Sequence, residues 1–145
     1  MIAHLLAAGV LAVTPPAFST PASRTLAITG ANLVAAEVLD PWDRLDFVFD
    51  LSQLLEQGEA FASIDFDISP ETVPLGFEIM TEAPYAPVVV SNTKVRLWLT
   101  VEATKRAARS WSGQGTICNI EFRAISDSVP PRHKERTVGF RIRQR

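Results

Sequence analysis

The chain has 145 residues, of which 47% are hydrophobic, and this share is too high for an intrinsically disordered protein and sufficient for one domain with a core. Its net charge is −2, and its only cysteine is Cys118, which excludes an intrachain disulfide and argues against a small disulfide-stabilised secreted module. Ten prolines against seven glycines indicate many turns and few long helices.

Residues 1–13 are apolar and are followed by a connector rich in Pro, Ser and Thr. The apolar run is too short to span a bilayer. A secretory signal would begin with basic residues, but no Lys or Arg precedes Arg24. We therefore predict an extended N-terminal arm over residues 1–39. Its apolar residues Leu5, Leu6 and Val10 are candidate interface residues, packed on their own domain or on a neighbouring chain. A cleaved signal with small residues near Ala22 is the alternative.

The segment 40–68 contains two runs with the two-residue period of a half-buried strand. Apolar residues of both runs alternate with acidic or polar ones, so each run has one buried face and one solvated face. The predicted inward residues are Leu45, Phe47 and Phe49 in the first run, and Ala62, Ile64, Phe66 and Ile68 in the second.

Further alternating runs follow at residues 73–79, 88–90, 94–101, 116–125 and 138–142. Turn signals separate them, and the polar insert 102–112 is predicted to form a short helix. About seven such strands are typical of an immunoglobulin-like fold. We therefore predict an all-β protein, with an antiparallel immunoglobulin-like β-sandwich over residues 40–145 and the arm before it.

Charge is unevenly distributed along this chain. Residues 1–90 carry two basic and twelve acidic side chains, a net −10, whereas residues 91–145 carry twelve basic and four acidic ones, a net +8. Three explanations fit this asymmetry: cross-strand ion pairs within the domain, docking of subunits through patches of opposite sign, and nucleic-acid binding. Because the pI is about 5.7 and aromatic residues are sparse among the basic ones, nucleic acid is not expected as a partner.

Residue types with catalytic or metal-binding chemistry are present, but their spacing is not that of a known site. Asp65 and Asp67 share one strand face without the spacing of a calcium loop. His133 lies near Asp127 and two serines, yet no nucleophile-elbow sequence accompanies it. Cys118 is predicted to face the core as an inert thiol. We therefore predict no catalytic, cofactor-binding or metal-binding residues, no cofactor and no small-molecule substrate.

Aromatic and arginine residues at polar positions are the better candidates for a functional surface, since both types are enriched at interface centres. Trp98 lies on the polar face of its predicted strand, between Arg96 and Thr100. Trp42 follows Pro41 at the start of the domain, and Trp111 lies in the basic stretch of the insert. We predict that Trp42, Arg96, Trp98 and Trp111 contact a partner.

Several segments carry a resemblance to a known family. They are the opening Asp40-Pro41 with Asp43 and Leu45-Asp46-Phe47, the turn Asp50-Leu51-Ser52 with Leu54-Leu55 and Gly58-Glu59, the strand 95–99, and the basic alternating end 136–143. Over residues 40–145 the chain resembles the fibre-tail adaptor proteins of tailed bacteriophages. It departs from the family pattern in the insert 102–112 and in the Pro130-Pro131 loop.

The resemblance implies a non-enzymatic structural protein of the virion. Such a protein would join tail or baseplate components to fibre components through contacts with other virion proteins and with copies of itself, and no membrane contact is expected. A decoration or cement protein of the phage head suits the same domain. A secreted β-sandwich binding module is the alternative from another class.

Overall fold

A computed structural model describes the backbone of residues 2–5 and all of residues 24–145. The described residues form ten strands and four short 3-10 helices, in agreement with the predicted all-β sandwich. In chain order the strands are β1 (Ile2–Leu5), β2 (Arg24–Ala27), β3 (Asn32–Val34), β4 (Leu45–Asp50), β5 (Phe61–Ile68), β6 (Phe77–Ile79), β7 (Val88–Ser91), β8 (Lys94–Val101), β9 (Thr116–Ser126) and β10 (His133–Ile142).

Two five-stranded sheets make up the sandwich. The first sheet has the order β1-β5-β9-β10-β3, and the second has the order β2-β4-β8-β6, with β7 also paired to β8. The pairings are antiparallel except that β3 runs parallel to β10 and β2 runs parallel to β4. The 3-10 helices are Ser52–Leu54, Val73–Leu75, Ala103–Lys105 and Arg109–Trp111.

The predicted inward faces meet between the sheets in a cluster of phenylalanines. The Phe140 ring of the first sheet lies 4.9 Å from the Phe47 ring of the second, measured between ring centroids. Phe49 lies at the same distance from Phe122. Side chains of both sheets therefore interlock in the centre, as the alternation of apolar and polar residues predicts.

One predicted position in β5 is wrong. Ile64, Phe66 and Ile68 are buried as expected, but Ala62 is only half-buried, and Phe61 packs in the core instead. The pairing of β5 with β9 shifts register between Phe61 and Ser63, which is the mark of a β-bulge. Such a bulge changes which residues face inward, and an alternating pattern alone cannot reveal it.

Residues 24–39 are part of the sandwich, although the sequence places them in the arm. Strand β2 pairs with β4 and β3 pairs with β10, so this segment adds an edge strand to each sheet. Ile28 and Leu39 are buried in the core. The backbone of β1 pairs with β5 of the same chain. The strands β2 and β3 have only four and three residues, too few for their alternation to distinguish them from a connector.

The insert 102–112 packs against the core through Trp111. It contains two 3-10 turns where the sequence predicts a short helix. Trp111 fills the core with none of its surface exposed, and its indole Nε1 donates a hydrogen bond of 2.8 Å to the carbonyl oxygen of Lys105. The carbonyl oxygen of Trp111 accepts a bond of 2.7 Å from the N–H of Gln144, which ties the insert to the C-terminal end.

Candidate protein-protein interface

Trp42 lies in a turn whose backbone is held by the carboxylates of Asp40 and Asp43. The Trp42 N–H donates to Oδ1 of Asp40 at 2.9 Å, and the Asp40 N–H donates to Oδ2 of Asp43 at 2.9 Å. Pro41 is buried beneath the turn, whereas the Trp42 side chain is 64% exposed. The backbone is thus fixed while the indole faces solvent.

Arg106 from the insert packs against this exposed ring. Its guanidinium carbon lies 5.3 Å from the centroid of the Trp42 ring, within the range of a cation–π contact. The Arg106 Nε donates to the carbonyl oxygen of Val101 at 2.9 Å, so the guanidinium is itself anchored. A large aromatic side chain that is exposed and already positioned loses little entropy on binding, which is the property of an interface anchor.

A pair of aromatic rings lies on the outer face of the second sheet. The rings of Trp98 and Tyr85 meet edge to face, with centroids 5.1 Å apart. The Arg44 guanidinium lies 4.7 Å from the Tyr85 centroid and donates to the Tyr85 hydroxyl at 3.2 Å. Arg44 and Trp42 are separated by one residue just before β4 begins, and we call the group Trp42, Arg44, Tyr85, Trp98 and Arg106 the aromatic corner.

Arg96 forms an ion pair within the domain. Its Nε lies 3.4 Å from Oδ2 of Asp46 across the β4–β8 pairing, and the side chains are only 21% and 20% exposed. Arg132 likewise reaches Glu56 at 2.9 Å and Glu59 at 3.4 Å. These ion pairs join the acidic early part of the chain to the basic late part, as the explanation by ion pairs within the domain predicts.

The remaining predicted interface residues are distributed as follows. Trp111 is fully buried, so its side chain is not available to a partner in this conformation. Leu5 ends β1, where its backbone lies opposite Ile64. Leu6 and Val10 lie outside the described residues. Of the seven candidates, therefore, the aromatic corner contains Trp42 and Trp98.

Sequence reasoning missed Arg44, Tyr85 and Arg106 as members of this corner. Tyr85 lies in a proline-bounded loop that has no periodic pattern, and Arg106 comes from the insert. Their contacts join segments far apart in the chain, and no local signal identifies such contacts.

The chemistry of the other candidate residues is as follows. Burial raises the pKa of the Cys118 thiol to about 12, which suits an unreactive core thiol. His133 is exposed at the start of β10. Within the described part of the chain, no three His, Cys, Asp or Glu side chains are placed to hold a metal ion. No helix of the described residues has the length and apolar character needed to cross a membrane.

Comparison of the chain with protein-family models, with curated proteins and with solved structures found no match.

Proposed function

We propose that this protein is a non-enzymatic structural component of a bacteriophage virion, an adaptor that joins tail or baseplate and fibre components through protein–protein contacts. The assignment to a phage depends on the resemblance of residues 40–145 to the fibre-tail adaptor family. The interaction role is supported by the aromatic corner, whose composition of Trp, Tyr and Arg is that of interface centres.

The observation that carries the interaction role is Trp42. Trp42 is 64% exposed, so its side chain contributes little to the stability of its own domain. Hydrogen bonds to the carboxylates of Asp40 and Asp43 nevertheless hold the backbone of its turn, and the Arg106 guanidinium packs against its ring. Ordering of an exposed aromatic residue is useful when the ring inserts into a pocket of a partner, because less entropy is then lost on association.

The test is incorporation of a Trp42→Ala variant into phage particles. We expect this variant to fold normally and to be lost from purified particles, with a decrease in incorporation of about tenfold or more, since truncation of an anchor residue typically costs 2 kcal/mol or more. Quantitative immunoblotting of purified particles measures the incorporation, and circular dichroism checks the fold.

The matched control is Val129→Ala. Val129 is also a large apolar residue, and it is 98% exposed, but it lies in the loop between β9 and β10, away from the corner. Normal incorporation of Trp42→Ala would contradict the role of the corner, and absence of the wild-type chain from particles would contradict the virion assignment.

A further inference from the structure

A groove opens at the side of the sandwich where β6 lies over the end of β5. Its volume is about 460 Å³, and its lining includes the apolar side chains Ile68, Phe77 and Ile79. Glu78, Glu82 and Glu102 also line it. The groove thus combines an apolar surface with three carboxylates.

The edge of β6 that faces away from β8 has backbone groups that are not paired with any described strand. The Met80 N–H donates to the Trp98 carbonyl oxygen, and the Gly76 carbonyl oxygen accepts from the Glu102 N–H. Hydrogen-bonded pairs alternate along an antiparallel ladder, so Glu78 is the residue of β6 that bonds to β8, opposite Thr100. The N–H and C=O groups of Phe77 and Ile79 therefore face outward, and no described strand pairs with that edge.

The carboxylates of Glu78, Glu82 and Glu102 favour a positively charged occupant of the groove. None of them forms an ion pair with a described residue. Burial and the neighbouring Glu102 raise the pKa of Glu78, and Arg106 opposes this in part. A cation placed among these carboxylates would reduce the repulsion between Glu78 and Glu102. An occupant with basic side chains is therefore favoured over an acidic or neutral one.

From these observations we infer that the β6 edge binds an extended segment of another protein, which adds a strand to the second sheet and carries alternating apolar and basic side chains. Backbone hydrogen bonds to Phe77 and Ile79 would supply affinity, the apolar side chains would enter the groove, and Lys or Arg would meet the carboxylates. This inference rests on the proposed function in one respect, because it describes a partner segment of the proposed adaptor.

The first test uses purified protein and two blocked seven-residue peptides, one alternating valine with lysine and the other valine with glutamate. We expect the lysine peptide to bind at least tenfold more tightly by isothermal titration calorimetry. The triple variant Glu78→Gln, Glu82→Gln and Glu102→Gln should weaken its binding about tenfold, since each exposed pair contributes only modestly. Glu135→Gln, in the first sheet, is the control and should leave the affinity unchanged.

The second test separates strand addition from simple charge attraction. Ile79→Pro removes an outward-facing N–H that the β6–β8 ladder does not use, and an edge strand tolerates such a proline. Ile79→Ala removes the same side chain but keeps the N–H group. We expect the proline variant to lose peptide binding while the alanine variant retains most of it.

Absence of binding by the lysine peptide, equal binding of the two peptides, an unchanged affinity in the triple variant, or equal binding by the two Ile79 variants would each overturn the inference. None of these outcomes bears on whether the chain is present in virions, which the immunoblot of the wild-type protein decides separately.

Discussion

At the scale of single residues, Trp111 and Trp42 have different environments, which predict different mutational effects. Trp111 is fully buried and Trp42 is mostly exposed. Trp111→Ala should therefore lower the free energy of unfolding by about 3–5 kcal/mol, whereas Trp42→Ala should lower it by less than about 1 kcal/mol. Urea denaturation of both variants measures this difference. Equal losses would show that one of the two environments is wrongly described.

Two glutamates predict opposite dependences of stability on pH. The pKa of Glu59 is lowered from 4.5, chiefly because its carboxylate accepts a hydrogen bond from the Glu56 N–H. Its ionised form therefore stabilises the fold above pH 4.5, and that stability is lost as the pH falls through the lowered pKa. The pKa of Glu78 is raised from 4.5, chiefly by burial, so ionisation of Glu78 destabilises the fold as the pH rises through the raised pKa.

Replacement by glutamine should separate these two effects. Glu59→Gln should be less stable than the wild type at pH 7, and Glu78→Gln more stable, with both differences shrinking below pH 4.5. Urea denaturation at pH 7 and at pH 3.5 measures them. A change of the same sign in both variants at pH 7 would contradict the described environments.

At the scale of secondary-structure elements, the turn before β9 depends on Gly115. This residue has a φ of +70°, and a side chain at its position would overlap the Ile142 carbonyl oxygen of β10. Gly113, in the same turn, has a φ of +62° but open space around it. Gly115→Ala should therefore destabilise the fold by about 2–4 kcal/mol, and Gly113→Ala by about 1 kcal/mol. Thermal denaturation compares them, and equal losses would argue against the close approach of β10.

Strands were predictable from the sequence where local alternation determines them. The period of two in residues 94–101 and 116–125 identifies β8 and β9, because each has one face against the core. The bulge at Phe61, the parallel pairings of β2 with β4 and of β3 with β10, and the buried position of Trp111 depend on contacts between distant segments. Trp42 and Trp98 could be identified as candidates from their residue type and their position in the sequence. Tyr85 and Arg106 could not, because their place in the corner depends on contacts between distant segments.

At the scale of the whole molecule, the acidic early part and the basic late part of the chain partly neutralise each other within the fold. Asp46 pairs with Arg96, and Glu56 and Glu59 pair with Arg132. Glu78, Glu82 and Glu102 at the β6 groove form no ion pair with a described residue. The carboxylates of the groove and the exposed Trp42 of the aromatic corner are consistent with a protein that docks onto others.

The most direct test of the proposed adaptor role is a cryo-electron microscopy reconstruction of the particle that contains the chain. The proposal predicts that the sandwich lies at the junction of tail or baseplate and fibre components, with the Trp42 indole inserted into a neighbouring virion protein. A reconstruction in which the chain is absent, or in which Trp42 faces solvent without a neighbour, would contradict it.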